Sequence, residues 1–230
     1  MIHQFIFAGP KPGLAADAFN SYWVNFHAVD YAAKIRQIRQ YLVATRLDVA
    51  TGRDVAFFEG AAEIWLANDA EQIASLQSPE FLQGARADEP RWAAFWQTFG
   101  LDTDPQVLRD YPGAQPWPEF AKLYILLKRQ PALALGAFQE ALLADRRKGA
   151  EAFGGVARHL VGFARPGLYG LGEPRYDAIE LLSFANAGAL RAQLAGALGA
   201  ALRAGWPFVD DRYLFTFAAQ EHWVIRPGER

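Results

Sequence analysis

The chain nearly repeats itself, and this limits its architecture more than any single motif does. Pro12-Gly13-Leu14 returns as Pro131-Ala132-Leu133, Phe5-Ile6 as Tyr124-Ile125 and Phe19 as Phe138, each 119 residues further on. Tyr41-Leu42 returns as His159-Leu160, Ala67-Asn68 as Ala185-Asn186 and Leu76 as Leu194, each 118 residues further on. A near-constant offset of this kind marks one supersecondary unit built twice. Between the copies, the run Asp110 to Pro118 holds Pro112, Pro116 and Pro118, which neither a helix interior nor a central strand accepts. The expected organisation is a first repeat over residues 1–108, a Pro-rich linker over 109–119 and a second, diverged repeat over 120–230.

Each copy shows the same order of periodicities. Strands are expected at His3–Phe7 and Ala121–Leu127. An amphipathic helix follows at Ala15–His27, where Phe19, Tyr22, Trp23 and Phe26 recur at i, i+3, i+4 and i+7. Strands Ile38–Leu47 and Phe57–Leu66 are echoed by Val156–Ala164 and Tyr176–Phe184. Asn68 and Asn186 stand where N-caps belong, ahead of helices at Asp69–Gln77 and Ala187–Arg203. The closing strand is evident only in the second copy, at Tyr213–Val224; Pro90–Phe99 reads as a helix. The order β-α-β-β-α-β is the ferredoxin-like unit of an α+β fold. Helices cover one face of such a sheet and leave the other bare. Two tandem copies are therefore expected to pack sheet to sheet as an intrachain α+β barrel, with a small-molecule chamber between them.

Composition narrows the function. At 52% hydrophobic and 21% charged, the chain can bury a core, and 14% aromatics suit an apolar, ring-lined cavity. A net charge of −2 and a pI near 6.1 argue against a nucleic-acid partner. With no Cys there is no disulfide, thiolate nucleophile or Cys-ligated metal. Met1 to Phe5 lacks a signal-peptide pattern, and the apolar run Ala185–Trp206 is broken by Arg191, Gln193 and Arg203. A cytoplasmic protein with no membrane partner is expected. Phosphate-loop, nucleophile-elbow and metal-ligand spacings are all missing, so no metal is expected.

Acid–base work then falls to His, carboxylates and Tyr. His27 ends the aromatic helix, four residues after Trp23, and reads either as a helix-terminal cap or as a pocket base. His3 shares one strand face with Phe5 and Phe7. Tyr41 and His159 hold equivalent positions and could face one cavity, Tyr41 orienting a carbonyl and His159 moving a proton. Glu63 and Glu180 also look equivalent; either has a raised pKa if buried unpaired, or is simply solvated. Arg146 opens a basic run with Arg147 and Lys148 that reads as a solvated helix face, though Arg146 could hold an anionic group.

Ile2-His3-Gln4-Phe5-Ile6, Pro12-Gly13, Phe19-x3-Trp23-x3-His27-Ala28, Ile38-Arg39-Gln40-Tyr41, Glu59 to Trp65, Asp88-Glu89 and the closing Glu221-His222-Trp223-Val224 together resemble the EthD family of the dimeric α+β barrel superfamily. The family's Pro after His-Ala is Val29 here. In the second copy His27 is matched by Arg146 and Trp23 by Leu142, so a histidine site belongs to the first copy. The resemblance implies xenobiotic or secondary metabolism. The expected protein is a cofactor-independent lyase, isomerase or cyclase acting on an aromatic or hydrophobic carbonyl compound. Its expected catalytic residues are His27, His3, Tyr41 and His159, with Trp23, Phe5, Trp65, Tyr124, Glu63 and Arg146 binding substrate. The alternatives are a non-catalytic hydrophobic-ligand or accessory protein for a partner oxygenase, and a cofactor-free monooxygenase. Exposed helix faces could support a homodimer.

Overall fold

A computed structural model describes residues 1–54, 57–113, 117–149, 153–170 and 172–230. Its eight strands are β1 (Ile2–Ala8), β2 (Ile38–Arg46), β3 (Gly60–Leu66), β4 (Phe99–Arg109), β5 (Ala121–Leu127), β6 (Val156–Ala164), β7 (Ala178–Phe184) and β8 (Phe215–Ile225). They close into one antiparallel barrel in the order β1-β3-β2-β8-β5-β7-β6-β4. The first four strands run β4-β1-β3-β2 and the last four β8-β5-β7-β6, the same order in each half. The halves are joined edge to edge, by hydrogen bonding of β2 to β8 and of β4 to β6. Each of the eight described strands bonds to a neighbour on both sides over at least part of its length. Of the linker expected over 109–119, residues 114–116 lie outside the described residues.

Helices cover the outside. The first half has α1 (Ala16–Tyr22), α2 (Asp69–Gln77) and the short α3 (Arg86–Asp88); the second has α4 (Leu135–Lys148), the single turn α5 (Pro166–Tyr169), α6 (Ala187–Ala195) and α7 (Ala197–Ala204). Asn68 and Asn186 do cap α2 and α6, each side-chain oxygen accepting a backbone N–H at 3.0 Å. The long helix expected at Ala187–Arg203 is broken at Gly196, whose backbone leaves the helical region. No helix among the described residues is long and apolar enough to cross a membrane.

Three expectations need correction. The fourth strand of the first half exists and starts at the end of the stretch read as a helix: Glu89–Arg91 and Phe95–Gln97 form short 3-10 turns and β4 begins at Phe99. Pro105 obscured it. β1 pairs only with residues 99–103 of β4, so Pro105 sits where β6 is its sole neighbour and a missing N–H is tolerated. The aromatic helix does not stop at His27; beyond α1 it continues as a π-helix over Trp23–Tyr31. Along α1 and the π-helix, Phe19, Trp23, His27 and Ala28 are buried while Phe26 is 53% exposed. Last, the barrel interior is no chamber. Phe5, Phe7, Trp65, Tyr124, Phe217 and their neighbours fill it, and two further apolar layers lie outside, one under each half's helices.

Gly60 at the start of β3 makes the first outer layer close. A Cβ there would lie 2.6 Å from the Trp23 ring. Gly60→Val is expected to cost about 1–3 kcal/mol through overpacking, measured as a fall in urea midpoint at unchanged m-value.

Candidate functional site

The cavity lies outside the barrel, between the outer faces of β1, β2 and β3 and the helices of the first half. It has a volume of about 300 Å³. Its walls are mostly apolar, with Trp23, Ile38, Ile64 and Trp92 among them, and its polar groups include His27, Tyr41 and Glu89. The strand period of two supplies the sheet wall: Gln4, Ile6 and Ala8 face it, while His3, Phe5 and Phe7 turn inward.

His27 comes from the π-helix and is 6% exposed. Its Nδ1 lies 3.0 Å from Asp88 Oδ2, and Tyr22 donates its hydroxyl proton to Asp88 Oδ1 at 2.9 Å. Asp88 is itself buried, on α3. A carboxylate only accepts, so Nδ1 carries the ring proton and Nε2 presents a lone pair. Among the described residues Nε2 has no hydrogen-bond partner. Burial lowers the His27 pKa below 6.5, and Asp88 opposes this only in part. The Trp92 ring packs against the imidazole with centroids 4.6 Å apart. Tyr41 lies deeper at 1% exposure; burial pushes its phenol well above the usual range, with Trp23 beside it opposing. The cavity therefore holds a neutral imidazole and a protonated phenol inside apolar walls.

The other expected site residues lie elsewhere. His3, Phe5, Glu63, Trp65 and Tyr124 point into the packed interior and line no chamber. There Lys122 Nζ sits 2.5 Å from both Glu63 Oε1 and Glu221 Oε1. Tyr124 donates to Glu63 Oε1 at 2.5 Å, and His3 Nε2 lies 2.8 Å from Glu63 Oε2 with its ring stacked on Trp65. Lys122 and His3 hold the Glu63 carboxyl well below the usual range against its burial. Tyr41 and His159 do not share a cavity, because each sits under its own half's helices. Glu63 and Glu180 are not equivalents. Glu63 pairs across from inward-facing Phe5, Glu180 from outward-facing Ile125. Their spacing of 117 is one short of the offset of 118 in this region, and one residue reverses the face.

Arg146 is not on a solvated helix face but paired inside the second half. It is 2% exposed, donates from Nε to Glu180 Oε1 at 2.7 Å, and lies over the Trp206 ring. His159 Nε2 meets the same Glu180 oxygen at 2.7 Å. These side chains fill the place in the second half that corresponds to the cavity in the first. The structure brings Trp23, His27 and Tyr41 to one cavity outside the barrel; Asp88, Tyr22 and Trp92, which support His27, had no expected site role. Asp88 is 61 residues from His27 and carries no periodic signal. Among the described residues no group of His and carboxylates could hold a metal ion.

Comparison with known proteins agrees on the fold. Residues 11–95 match the EthD domain, a span that holds His27, Tyr41 and Asp88. No curated protein matches the chain in sequence. A proposed monooxygenase from Fusobacterium nucleatum subsp. nucleatum superposes with a TM-score of 0.60 at 9% identity, over 98% of this chain and 93% of that one. An anthrone oxidase-like protein gives 0.63 at 12% identity, over 96% and 92%. A mutant chlorite dismutase from Candidatus Nitrospira defluvii gives 0.52 at 10% identity, over 96% and 91%. Identities this low show a shared dimeric α+β barrel fold.

Lys122→Met leaves Glu63 and Glu221 buried without their cation. The expected loss is about 3–5 kcal/mol, read from chemical denaturation at neutral pH. Acid should also weaken the fold through Glu180, whose pKa is lowered to about 2 from 4.5 by Arg146 and His159 against burial. With a depressed folded pKa, its contribution is present above pH 4.5 and lost as pH falls toward 2. Glu180→Gln should flatten that part of the stability–pH curve.

Proposed function

With an EthD domain set into a closed α+β barrel as the premise, we propose that this protein is a small-molecule enzyme that moves a proton on an apolar carbonyl compound. The compound binds in the cavity between the first-half sheet and its helices. One observation carries this: His27, oriented by Asp88 at 3.0 Å, opens a lone pair onto an apolar cavity. We also read the two halves, residues 1–108 and 120–230, as tandem ferredoxin-like repeats in which only the first keeps a site.

The chemistry follows from the two protonation states. Tyr41 stays protonated and donates to the carbonyl oxygen, drawing electron density from the adjacent carbon. His27 Nε2 takes the proton of that carbon, and the new imidazolium is stabilised by Asp88 through Nδ1. Water is kept from the enolate by Trp23, Ile64 and Trp92. Return of the proton to a second position makes an isomerase; expulsion of a leaving group makes a lyase; attack on an internal carbonyl makes a cyclase. None of these steps calls on a cofactor. A second reading shares the first step. The names of two structural neighbours, a proposed monooxygenase and an anthrone oxidase-like protein, favour it. In that reading the enolate is captured by dioxygen, and anthrone plus dioxygen gives anthraquinone plus water.

The test is hydrogen exchange. β-Tetralone and anthrone are incubated with the protein in deuterium oxide under nitrogen, and the hydrogens beside the carbonyl or the rings are followed by NMR. The wild type is expected to accelerate exchange, and His27→Gln to slow it about 100- to 10,000-fold. Because the His27 pKa lies below 6.5, the rate should rise with pH to a plateau reached before neutrality. Asp88→Asn should move that midpoint lower, since Asp88 is what raises it. Ligand-induced Trp quenching without exchange would instead establish the non-catalytic binding protein. Dioxygen uptake with anthrone in air would establish the monooxygenase.

A further inference from the structure

One polar group on the cavity floor has no part in the step above. Gln4 of β1 stands opposite Ile64 of β3, and Ile64 stands opposite Tyr41 of β2. The three lie in one row on the outer face of the sheet, and all line the cavity. Two strand spacings put Gln4 and Tyr41 about 10 Å apart along that row, with an apolar side chain between them. The amide of Gln4 is held in one sense. Its Nε2 donates to Asp102 Oδ1 at 2.7 Å, and the other Asp102 oxygen takes Gln72 Nε2 at 2.8 Å. A carboxylate only accepts, so the nitrogen faces Asp102 and Oε1 faces away from it. Among the described residues Oε1 accepts no hydrogen bond.

The second half shows the same row serving packing. Across β5, β7 and β6 the equivalent positions are Leu123, Leu182 and His159, and Ala218 stands opposite Leu123 as Asp102 does opposite Gln4. Leu190 stands where the first half has Gln72. Leu123, Ala218 and Leu190 are all buried in the apolar layer under the helices. In the first half two amides and a carboxylate replace those three residues, and the result is one unpaired acceptor beside an apolar cavity. An amide oxygen so placed is costly to strip of water unless a donor meets it.

From this row, and resting on the reading that the carbonyl lies at Tyr41, we infer that Gln4 is a specificity-determining residue and that the ligand carries a hydroxyl at the end remote from its carbonyl. The hydroxyl donates to Gln4 Oε1, the carbonyl accepts from Tyr41, and the apolar frame between them lies over Ile64. The substrate is a hydroxy ketone whose polar ends are held apart by a fused-ring frame. A ligand with an apolar group in place of the hydroxyl leaves Oε1 without water and without a partner, which is how a site built to bond a hydroxyl rejects the analogue lacking it.

The experiment uses two ketones on the intact chain, 6-hydroxy-β-tetralone and 6-methyl-β-tetralone. A methyl matches the hydroxyl in size but donates nothing. Affinity is read from Trp fluorescence quenching, since Trp23 and Trp92 line the cavity. Exchange of the hydrogens beside the carbonyl is followed by NMR in deuterium oxide. The wild type should bind the hydroxy ketone about tenfold tighter than the methyl ketone. Gln4→Leu carries the residue of the second half, and Gln4→Met keeps the length of the side chain; each should reverse that preference. Loss of packing alone would weaken both ligands together and leave their ratio unmoved. A wild type that binds the two equally, or a preference that survives in a variant whose urea midpoint shows it folded, would overturn the assignment. Preference without exchange keeps Gln4 and removes His27 as the base. Exchange without preference removes Gln4 and keeps His27. No quenching by either ketone removes the two readings together.

Discussion

Barrel closure is the constraint on which the rest of the molecule depends. Once β2 bonds to β8 and β4 to β6, every strand has an inside and an outside. Side chains alternate between them with a period of two. An eight-stranded barrel of this kind has room within only for side chains or a small ligand. Here side chains take the space, as tilted and edge-on rings around Phe7 and Tyr124. The polar exception is Lys122, clamped between Glu63 from the first half and Glu221 from the second. Charges so deep persist only when paired, so the cluster specifies the docking of the halves as much as it stabilises them. With the interior filled, the apolar cavity that holds His27 lies under the helices of the first half.

Why that space opens in one half follows from four pairs of equivalent positions. Trp23, His27, Tyr41 and Ala62 of the first half stand where the second has Leu142, Arg146, His159 and Glu180. In the second half two long side chains reach toward each other from helix and strand and meet at 2.7 Å, with His159 on the same oxygen. In the first half the strand position is an alanine, and no ion pair like Arg146–Glu180 joins helix to strand there among the described residues. The inward direction is common to both: in the ordinary helix α4 Arg146, the counterpart of His27, is buried, and Asp145, the counterpart of Phe26, is exposed. The same chain thus holds a structural version and an open version of one layer.

In the open version the imidazole of His27 is supported from outside the cavity. His27 has Asp88, and Asp88 has Tyr22 as well. An imidazole in apolar surroundings is held neutral, and a phenol there is held protonated. Neither state needs water nearby to maintain it. Trp92, in contact with Phe19, Trp23 and His27, packs the wall around the imidazole.

Much of this architecture was legible in the sequence by itself. The repeat offset, the strands at Ala121–Leu127 and Val156–Ala164, the N-caps at Asn68 and Asn186, and the likeness of the His27 segment to EthD proteins are all local signals. Each depends on neighbours in the chain. The period of two showed that His3, Phe5 and Phe7 share a face, but not that the face points inward, because alternation has no sign until the barrel closes. Tertiary structure alone decided that sign. It also decided the one-residue parity that sends Glu63 inward and Glu180 outward, the π winding, and the meeting of His27 with Asp88. Those outcomes depend on groups far apart in sequence, brought together by strand pairing that no local pattern encodes.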